Sequence, residues 1–222
     1  MSTRHTPSVL VLAKAPRPGT VKTRLHPLLG PDGCAVLQAE LIRHTVDLTS
    51  GLGARTYLAY APGEAEDSTG HVAPPGVRLM VQRGQNLGQR LSSAVLEAFA
   101  DGAGPLLVIG TDAPILTGDH LTAALTSLEH KDVVLGPALD GGYYLIGMRH
   151  PHVGLFGIDA ALWSTDQVLA ATRALATDEG LSVELLRPLR DLDTPEDAAA
   201  LLADRMMPSR IAALLRPTED AV

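Results

Sequence analysis

The chain has 222 residues and a formal net charge of -7 at pH 7, with 45% apolar residues and only 3% aromatic ones. This charge argues against a nucleic acid as the main partner, because phosphate backbones select basic surfaces. The single cysteine, Cys34, excludes an internal disulfide and a cysteine-based zinc cluster. With neither a bilayer-length apolar run nor a signal-peptide core, the sequence predicts no membrane partner and a cytoplasmic location. The length fits a single domain over residues 1–222.

Short apolar runs alternate along the chain with segments of helical periodicity. The predicted elements are, in order, a strand over 8–13, a helix over 32–50, a strand over 55–60, a loop over 61–75, a strand over 77–81, a helix over 87–100, a strand over 105–110, a helix over 116–128, strands over 133–137 and 143–148, a helix over 165–178, a strand over 182–186, a helix that begins near 194–197, and a short helix with a frayed end over 206–222. Thr165 and Thr194 are the predicted N-caps of two of these helices. The alternation predicts an α/β fold, with a mostly parallel sheet and helices on both faces. Such sheets bind ligands at the carboxyl ends of their strands.

The loop that follows the first strand carries four cations and no acid between Ala13 and Leu25. It lacks the glycine spacing of a P-loop, and the chain has no GxGxxG dinucleotide motif. A solvated basic loop is one interpretation, but its position directly after a buried strand favours phosphate binding. The predicted phosphate-binding residues of this loop are Ala13, Lys14, Arg17, Gly19, Lys22 and Arg24.

Two acidic segments are candidates for a metal site. Asp112 follows the apolar strand over 105–110, and Pro114 fixes the direction in which the chain leaves the strand. There a hard cation could meet a diphosphate, since Mg²⁺ usually binds one or two carboxylates plus substrate phosphates. The alternative interpretation is that Asp112 caps the helix that follows. Asp191 and Asp193 point the same way if their segment is extended, so they repel unless a cation lies between them.

Three further groups could line the same edge of the sheet. Paired glycines after Asp140 permit close approach of a ligand, although a simple hairpin turn would also explain them. The segment over 82–90 is polar and contains glycine, with a helix N-cap as the other interpretation of its asparagine. Trp163 either forms the floor of an acceptor pocket or anchors a helix. The predicted nucleotide-binding residues here are Gln82, Asn86 and Arg90, and the predicted acceptor residues are Gly141, Gly142, Tyr143, Trp163 and Asp166.

Taken together, the motifs resemble one family. The order AKAPRPGxVKTRL, QxGxNLGxR, GTDAP, DGGYYLIG, WST and DLDTPED is similar to that of the bacterial DUF2064 proteins, over residues 8–205. That family is often labelled a glycosyltransferase and belongs to the nucleotide-diphospho-sugar transferase superfamily with the GT-A fold. The opening loop also resembles that of 2-phospholactate guanylyltransferases and, more loosely, of molybdenum-cofactor nucleotidyltransferases.

The resemblance implies roles for particular residues. Lys14, Arg17 and Lys22 would hold the nucleotide phosphates, while Asp112 and Asp193 would face a Mg²⁺ or Mn²⁺ ion. The usual Asp-x-Asp pattern is reduced here to Thr-Asp-Ala, which raises the importance of Asp193. The predicted catalytic residues are Lys22, Asp112 and Asp140, with Asp166 as another candidate for the general base.

Three functions remain open from the sequence. The first expectation is a glycosyltransferase that moves a sugar from a nucleotide-sugar to a small-molecule acceptor. The alternative is a nucleotidyltransferase, in which a substrate phosphate attacks the α-phosphorus of an NTP and pyrophosphate leaves. The density of cations in the first loop favours this alternative, since it suits a triphosphate better than a neutral sugar. A non-catalytic nucleotide-binding module is the third.

Overall fold

The computed structural model describes residues 6–61 and 75–216, so most of the predicted loop over 61–75 and the end of the predicted tail lie outside the described residues. The described ranges form a seven-stranded sheet. Its strands are β1 (Thr6–Ala13), β2 (Arg55–Tyr60), β3 (Arg78–Val81), β4 (Ala103–Ile109), β5 (Val133–Pro137), β6 (Tyr143–Met148) and β7 (Val183–Leu185). They lie in the order β3-β2-β1-β4-β6-β5-β7, and only β6 runs antiparallel to its two neighbours. The predicted mostly parallel sheet is confirmed.

Helices pack on both faces of this sheet, as predicted. They are α1 (His26–Ser50), α2 (Leu87–Ala100), α3 (Gly118–Ser127), α4 (Val168–Asp178), α5 (Pro195–Leu202) and α6 (Ser209–Leu215). Successive residues of a strand point to opposite faces, so Val9 joins a core cluster with residues of α1 and α3, whereas Leu10 joins one with residues of α2 and α4. A third apolar cluster joins α1 to α5 and α6 beside the sheet.

Most predicted boundaries fall within two residues of the observed ones, and three cases are instructive. The long first helix starts at His26, but Gly30 interrupts it at φ 66°, so regular helix resumes close to the predicted start. Thr194 is an N-cap, as predicted, and accepts the N–H of Asp197. Thr165 is not: α4 begins at Val168, and the Thr165 hydroxyl belongs to the turn before it, where it donates to Leu162 O and accepts the N–H of Gln167.

Candidate active site

A cavity of about 510 Å³ opens at the carboxyl ends of β1 and β4. Its walls come from the loops after these strands, the start of α2, the turn before β6, the segment before α4, and residues 191–193. Twelve of the predicted site residues line it: Ala13, Lys14, Lys22, Arg24, Gln82, Arg90, Asp112, Asp140, Gly142, Tyr143, Trp163 and Asp193. Arg17, Gly19, Asn86, Gly141 and Asp166 are not among the lining residues. The sheet edge therefore brings most of the predicted residues together, while their individual roles stay predictions.

Lys22 lies at the centre of the polar half of this cavity. Its ammonium contacts Asp112 Oδ1 at 2.5 Å, Leu192 O at 2.8 Å and Asp193 Oδ1 at 3.2 Å. Only 5% of the side chain is exposed. Burial alone would lower the pKa of Lys22, but the charges of Asp112 and Asp193 outweigh that effect and the pKa lies above its ordinary value. Lys22 is therefore a buried cation held by two carboxylates, and its predicted contact with a nucleotide phosphate stays a prediction.

Apolar anchors explain how these distant segments meet. Leu192 is fully buried in the cluster of α1, α5 and α6, so Asp191 and Asp193 on either side of it both line the cavity. The backbone N–H of Leu192 donates to Asp112 O at 2.7 Å, which joins this segment to the loop after β4. Val21 is 2% exposed and anchors the basic loop next to Lys22. Burial of short apolar side chains thus sets the position of the charged ones.

Asp191 is a residue of this cavity for which the sequence analysis predicted no role in the site. Its Oδ1 atom is buried and has no hydrogen-bond partner. Burial, followed by the charges of Asp112, Asp140 and Asp193, raises the pKa of Asp191 to about 8, and the charge of Lys22 opposes this rise only in part. The alternation of acids in the sequence indicated the common direction of Asp191 and Asp193. The sequence did not indicate which of these two carboxyl groups would be buried away from water.

The carboxylates of this site have the chemistry that Mg²⁺ and Mn²⁺ prefer. Asp112 and Asp193 present oxygen ligands to a common point, at which Lys22 now supplies the positive charge. Within residues 6–61 and 75–216, no three His, Cys, Asp or Glu side chains form a ready-made ligand set. The arrangement therefore fits a divalent ion held by two carboxylates together with substrate phosphates. Metal binding itself stays a prediction.

The other cations of the basic loop occupy different positions. Arg24 has 68% of its side chain exposed, with Nη1 3.9 Å from Asp193 Oδ2. Lys14 is exposed at the cavity wall, and its carbonyl accepts from Gln38 Nε2 at 3.4 Å. Arg17 is half-buried within the turn around Gly19, whose φ is 79°. Lys14 and Arg24 are therefore the members of this loop best placed to meet an anionic ligand in the cavity.

The polar segment after β3 has mainly structural contacts. Gln82 is buried, and its amide donates to Ala13 O at 3.2 Å and Ala59 O at 2.9 Å, which connects β1 to β2. Asn86 is the N-cap of α2, where its side chain accepts the N–H of Gln89. Arg90 lines the cavity and donates from Nε to Gly84 O at 3.2 Å. The alternative interpretation of Asn86 as a cap is thus the one that its contacts support.

The turn before β6 forms the opposite wall. Asp140 Oδ1 accepts the N–H of Gly142 at 2.9 Å. Gly141 has φ 92°, and a Cβ there would lie 2.2 Å from the carbonyl oxygen of Asp166. Asp166 therefore supports the turn through its backbone, and its side chain is not part of the cavity wall. Gly141 is explained here by tight packing against the segment that precedes α4.

Aromatic residues close the apolar end of the cavity. The Tyr143 hydroxyl is buried beside that of Thr172, and burial raises the pKa of Tyr143 far above its ordinary value. Trp163 lines the cavity and packs so close to Gly88 at the start of α2 that a Cβ there would lie 3.3 Å from the indole. Trp163 therefore lines the cavity and packs against the start of α2, while its predicted contact with an acceptor stays a prediction.

Comparisons with known proteins agree with this architecture. Residues 45–165 match the family described as "Uncharacterized protein conserved in bacteria (DUF2064)". A phosphoenolpyruvate guanylyltransferase of Rubrobacter xylanophilus is 30% identical over 82% of this chain and 87% of its own length. A protein of the same name from Sphaerobacter thermophilus is 27% identical over 87% of this chain and 92% of its own. A crystal structure from Desulfovibrio desulfuricans G20, classed as a nucleotide-diphospho-sugar transferase, is 32% identical with a TM-score of 0.85, covering 95% of this chain and 94% of that one.

These similarities bear on the functions left open by the sequence. The names of the guanylyltransferase relatives support the nucleotidyl alternative better than the first expectation of glycosyl transfer. In the part of the chain that the structure describes, no helix is long and apolar enough to span a membrane.

Proposed function

This chain belongs to the DUF2064 family and is a transferase, and we propose that it is a nucleotidyltransferase acting on an NTP and a phosphorylated small molecule. An oxygen of the acceptor phosphate attacks the α-phosphorus of the NTP. The bond between the α-phosphorus and the bridging oxygen breaks, and pyrophosphate leaves with that oxygen. The acceptor class is taken from the relatives, whose names specify phosphoenolpyruvate.

The observation that carries this proposal is the meeting of Lys22, Asp112 and Asp193 at the carboxyl edge of the sheet, beside the exposed cations of the same loop. A triphosphate brings several negative charges to the reaction, and more charge develops on the leaving pyrophosphate. Lys14 and Arg24 line the cavity where they can meet that charge. Cations already in position stabilise developing charge without having to reorganise, which is usually the largest single contribution to catalysis.

A divalent ion would be held by Asp112 and Asp193. When bound, Mg²⁺ or Mn²⁺ supplies a Lewis acid that polarises phosphoryl oxygens. The remaining work falls to residues of the chain. Arg24 and Lys14 orient the phosphates, and apolar residues at the start of α2 keep water from one side of the cavity. An acceptor phosphate is already ionised at neutral pH, so this reaction does not require Asp140 as a general base.

The acceptor lies, in this proposal, between the turn before β6 and Trp163. Gly142 presents backbone without a side chain at the wall, which leaves room for a substrate to approach closely. Trp163 and Tyr143 limit the length of the acceptor on that side.

Glycosyl transfer is the second candidate, favoured by one feature of the site. Asp140 lines the cavity, where it could accept a proton from an acceptor hydroxyl. The Desulfovibrio structure, classed as a nucleotide-diphospho-sugar transferase, also supports this candidate. The two functions differ in their leaving group, which is pyrophosphate for nucleotidyl transfer and a nucleoside diphosphate for glycosyl transfer.

Pyrophosphate release tests the proposal directly. The protein is incubated with each of the four NTPs, Mg²⁺ and either phosphoenolpyruvate or 2-phospholactate, and pyrophosphate is measured with a coupled pyrophosphatase. We expect acceptor-dependent release that falls at least a hundredfold in Asp112→Asn. Asp178→Asn is the matched control, since this exposed carboxylate at the end of α4 does not line the cavity. If no pair releases pyrophosphate while a nucleotide-sugar yields nucleoside diphosphate, the proposal is wrong.

A further inference from the structure

We propose that Lys22 is a resident counter-ion: before substrate binds, its ammonium holds the place between Asp112 and Asp193 that a divalent metal ion takes during the reaction. Entry of the metal with a nucleotide then moves the ammonium from the carboxylates to the phosphates. Only the movement of the ammonium to the nucleotide phosphates rests on the proposed function. The competition between Lys22 and the metal concerns the free protein and stands by itself.

Hydrogen-bond capacity is the first argument. A lysine ammonium has three N–H donors and no acceptor. All three have partners here, in Asp112 Oδ1, Leu192 O and Asp193 Oδ1, at 2.5, 2.8 and 3.2 Å. Lys22 therefore has no donor left for a phosphate unless it releases one of these partners. In this proposal the Lys22 side chain has two positions, one on the carboxylates, as observed, and one on the phosphates of a bound nucleotide.

Electrostatics is the second argument. Asp112 and Asp193 come from loops on different strands, and Asp140 and Asp191 line the same cavity. The ionised carboxylates among them repel one another, and Asp112 and Asp193, which share one contact point, need a cation between them. Lys22 meets this need with a single charge and with 5% of its side chain exposed. A divalent ion with the same carboxylate ligands would repel the ammonium, so the two cations exclude each other from this position.

Backbone conformation is the third argument. Lys22 has φ 48° and ψ 39°, a left-handed conformation that costs a residue with a Cβ about 1 kcal/mol or more. In the described ranges only one other non-glycine residue, Ser164, has positive φ. The chain accepts this strain at the residue whose side chain reaches both carboxylates. The Lys22 carbonyl also accepts from Cys34 Sγ at 3.4 Å, so α1 holds the backbone of Lys22 in this conformation.

Metal affinity without any substrate tests the inference. Mn²⁺ binding is measured by calorimetry and by electron paramagnetic resonance for the wild type, Lys22→Met and Lys22→Gln. Both substitutions remove the charge; methionine is apolar and of similar length, and glutamine is shorter but keeps an N–H donor. We expect both variants to bind Mn²⁺ at least ten times more tightly than the wild type. Equal or weaker binding by a folded variant would overturn the inference.

Arg24→Met is the matched control. It removes a cation of the same loop, but one that is 68% exposed and lies 3.9 Å from Asp193. Because Arg24 does not lie between the two carboxylates, its loss should change Mn²⁺ affinity by less than threefold. A gain as large as that of Lys22→Met would mean that general positive charge, and not the position of Lys22, controls metal binding, and it would also overturn the inference.

The wild type provides a readout that does not depend on the folding of any variant. In the free protein the Lys22 ammonium is buried and fully hydrogen-bonded, so its nitrogen-15 resonance should be protected from exchange with water. Mg²⁺ with a non-hydrolysable NTP analogue should shift this resonance and increase its exchange. A resonance that stays unchanged under saturating ligand would contradict the movement. Since neither measurement uses turnover, failure here leaves the pyrophosphate assay intact, and the reverse also holds.

Discussion

The carboxyl group of Asp191 should make the stability of this protein fall as pH rises. Its pKa is raised from 3.8 to about 8 in the folded protein, first by burial and then by neighbouring carboxylates. Between these two values the unfolded chain has lost the proton and the folded chain has kept it. Protons therefore favour the folded state, and the stabilisation present below pH 3.8 is lost as pH rises towards 8. Replacing Asp191 with Asn removes the ionisation and should remove this loss.

The structure sets the size of the effect. Each pKa unit corresponds to 1.36 kcal/mol, so a shift of about four units gives an upper limit of roughly 5–6 kcal/mol. Asp191 lies at a cavity wall, where water can solvate an ionised carboxylate, and Lys22 is close enough to respond to its charge. We therefore expect the difference in unfolding free energy, Asp191→Asn minus wild type, to increase by about 2–3 kcal/mol as the pH rises from 5 to 9.

Urea unfolding at several pH values between 5 and 9, with a chelator present to exclude metal ions, measures this difference. Other carboxyl groups, such as those of Asp101 and Asp197, have lowered pKa values, so their contribution to the stability of the protein is lost as pH falls. They are present in both proteins, so their contributions cancel. Asp178→Asn, with an exposed carboxylate, should show a constant difference from the wild type. If the Asp191→Asn difference is also constant with pH, the reasoning about burial of this carboxyl is refuted.

Three further predictions concern the supports of the cavity. Gly141→Ala should lower the unfolding free energy by about 2 kcal/mol or more, because the new methyl group would lie 2.2 Å from the carbonyl oxygen of Asp166. Gly180→Ala, at φ 68° with open space around it, should cost only about 1 kcal/mol. Equal losses of the two variants in urea unfolding would contradict this prediction. Thr194→Ala should cost about 1 kcal/mol by removing the N-cap of α5, and calorimetry that detects no lower melting temperature would count against it. Trp163 is the only tryptophan, so saturation with NTP and Mg²⁺ should change the emission of the protein; constant emission would mean that the ligand does not reach this wall.

The sequence was sufficient to predict the architecture because its signals are local. Alternating apolar runs and helical periodicity gave β2 over 55–60 and α2 over 87–100 at their observed bounds. The Thr-Pro pair at 194–195 identified a helix start, since a cap and a first-turn proline act within one turn. Thr165 failed as a cap because its hydroxyl lies in the turn before α4, where it donates to Leu162 O and accepts the N–H of Gln167, and composition does not distinguish such a turn from a cap.

The site could be predicted as a set of residues but not as a set of contacts. The carboxyl edge of a parallel sheet gathers its loops, so Lys22, Asp112 and Asp193 could be expected in one region. Which cation meets which acid depends on contacts 90 and 171 positions apart along the chain. Leu192 and the apolar cluster beneath it decide that pairing. For the same reason the buried oxygen of Asp191 could be recognised only in three dimensions.

The fate of the α-phosphate distinguishes nucleotidyl transfer from glycosyl transfer. An NTP labelled with phosphorus-32 at the α-position is incubated with the protein, Mg²⁺ and phosphoenolpyruvate, and the products are separated by chromatography and identified by mass. We predict that the label enters a new compound in which the nucleotide is joined to the acceptor phosphate, while the β- and γ-phosphates appear as pyrophosphate. Label that remains in the unreacted NTP, together with sugar transfer from a nucleotide-sugar under the same conditions, would show that the protein is not a nucleotidyltransferase.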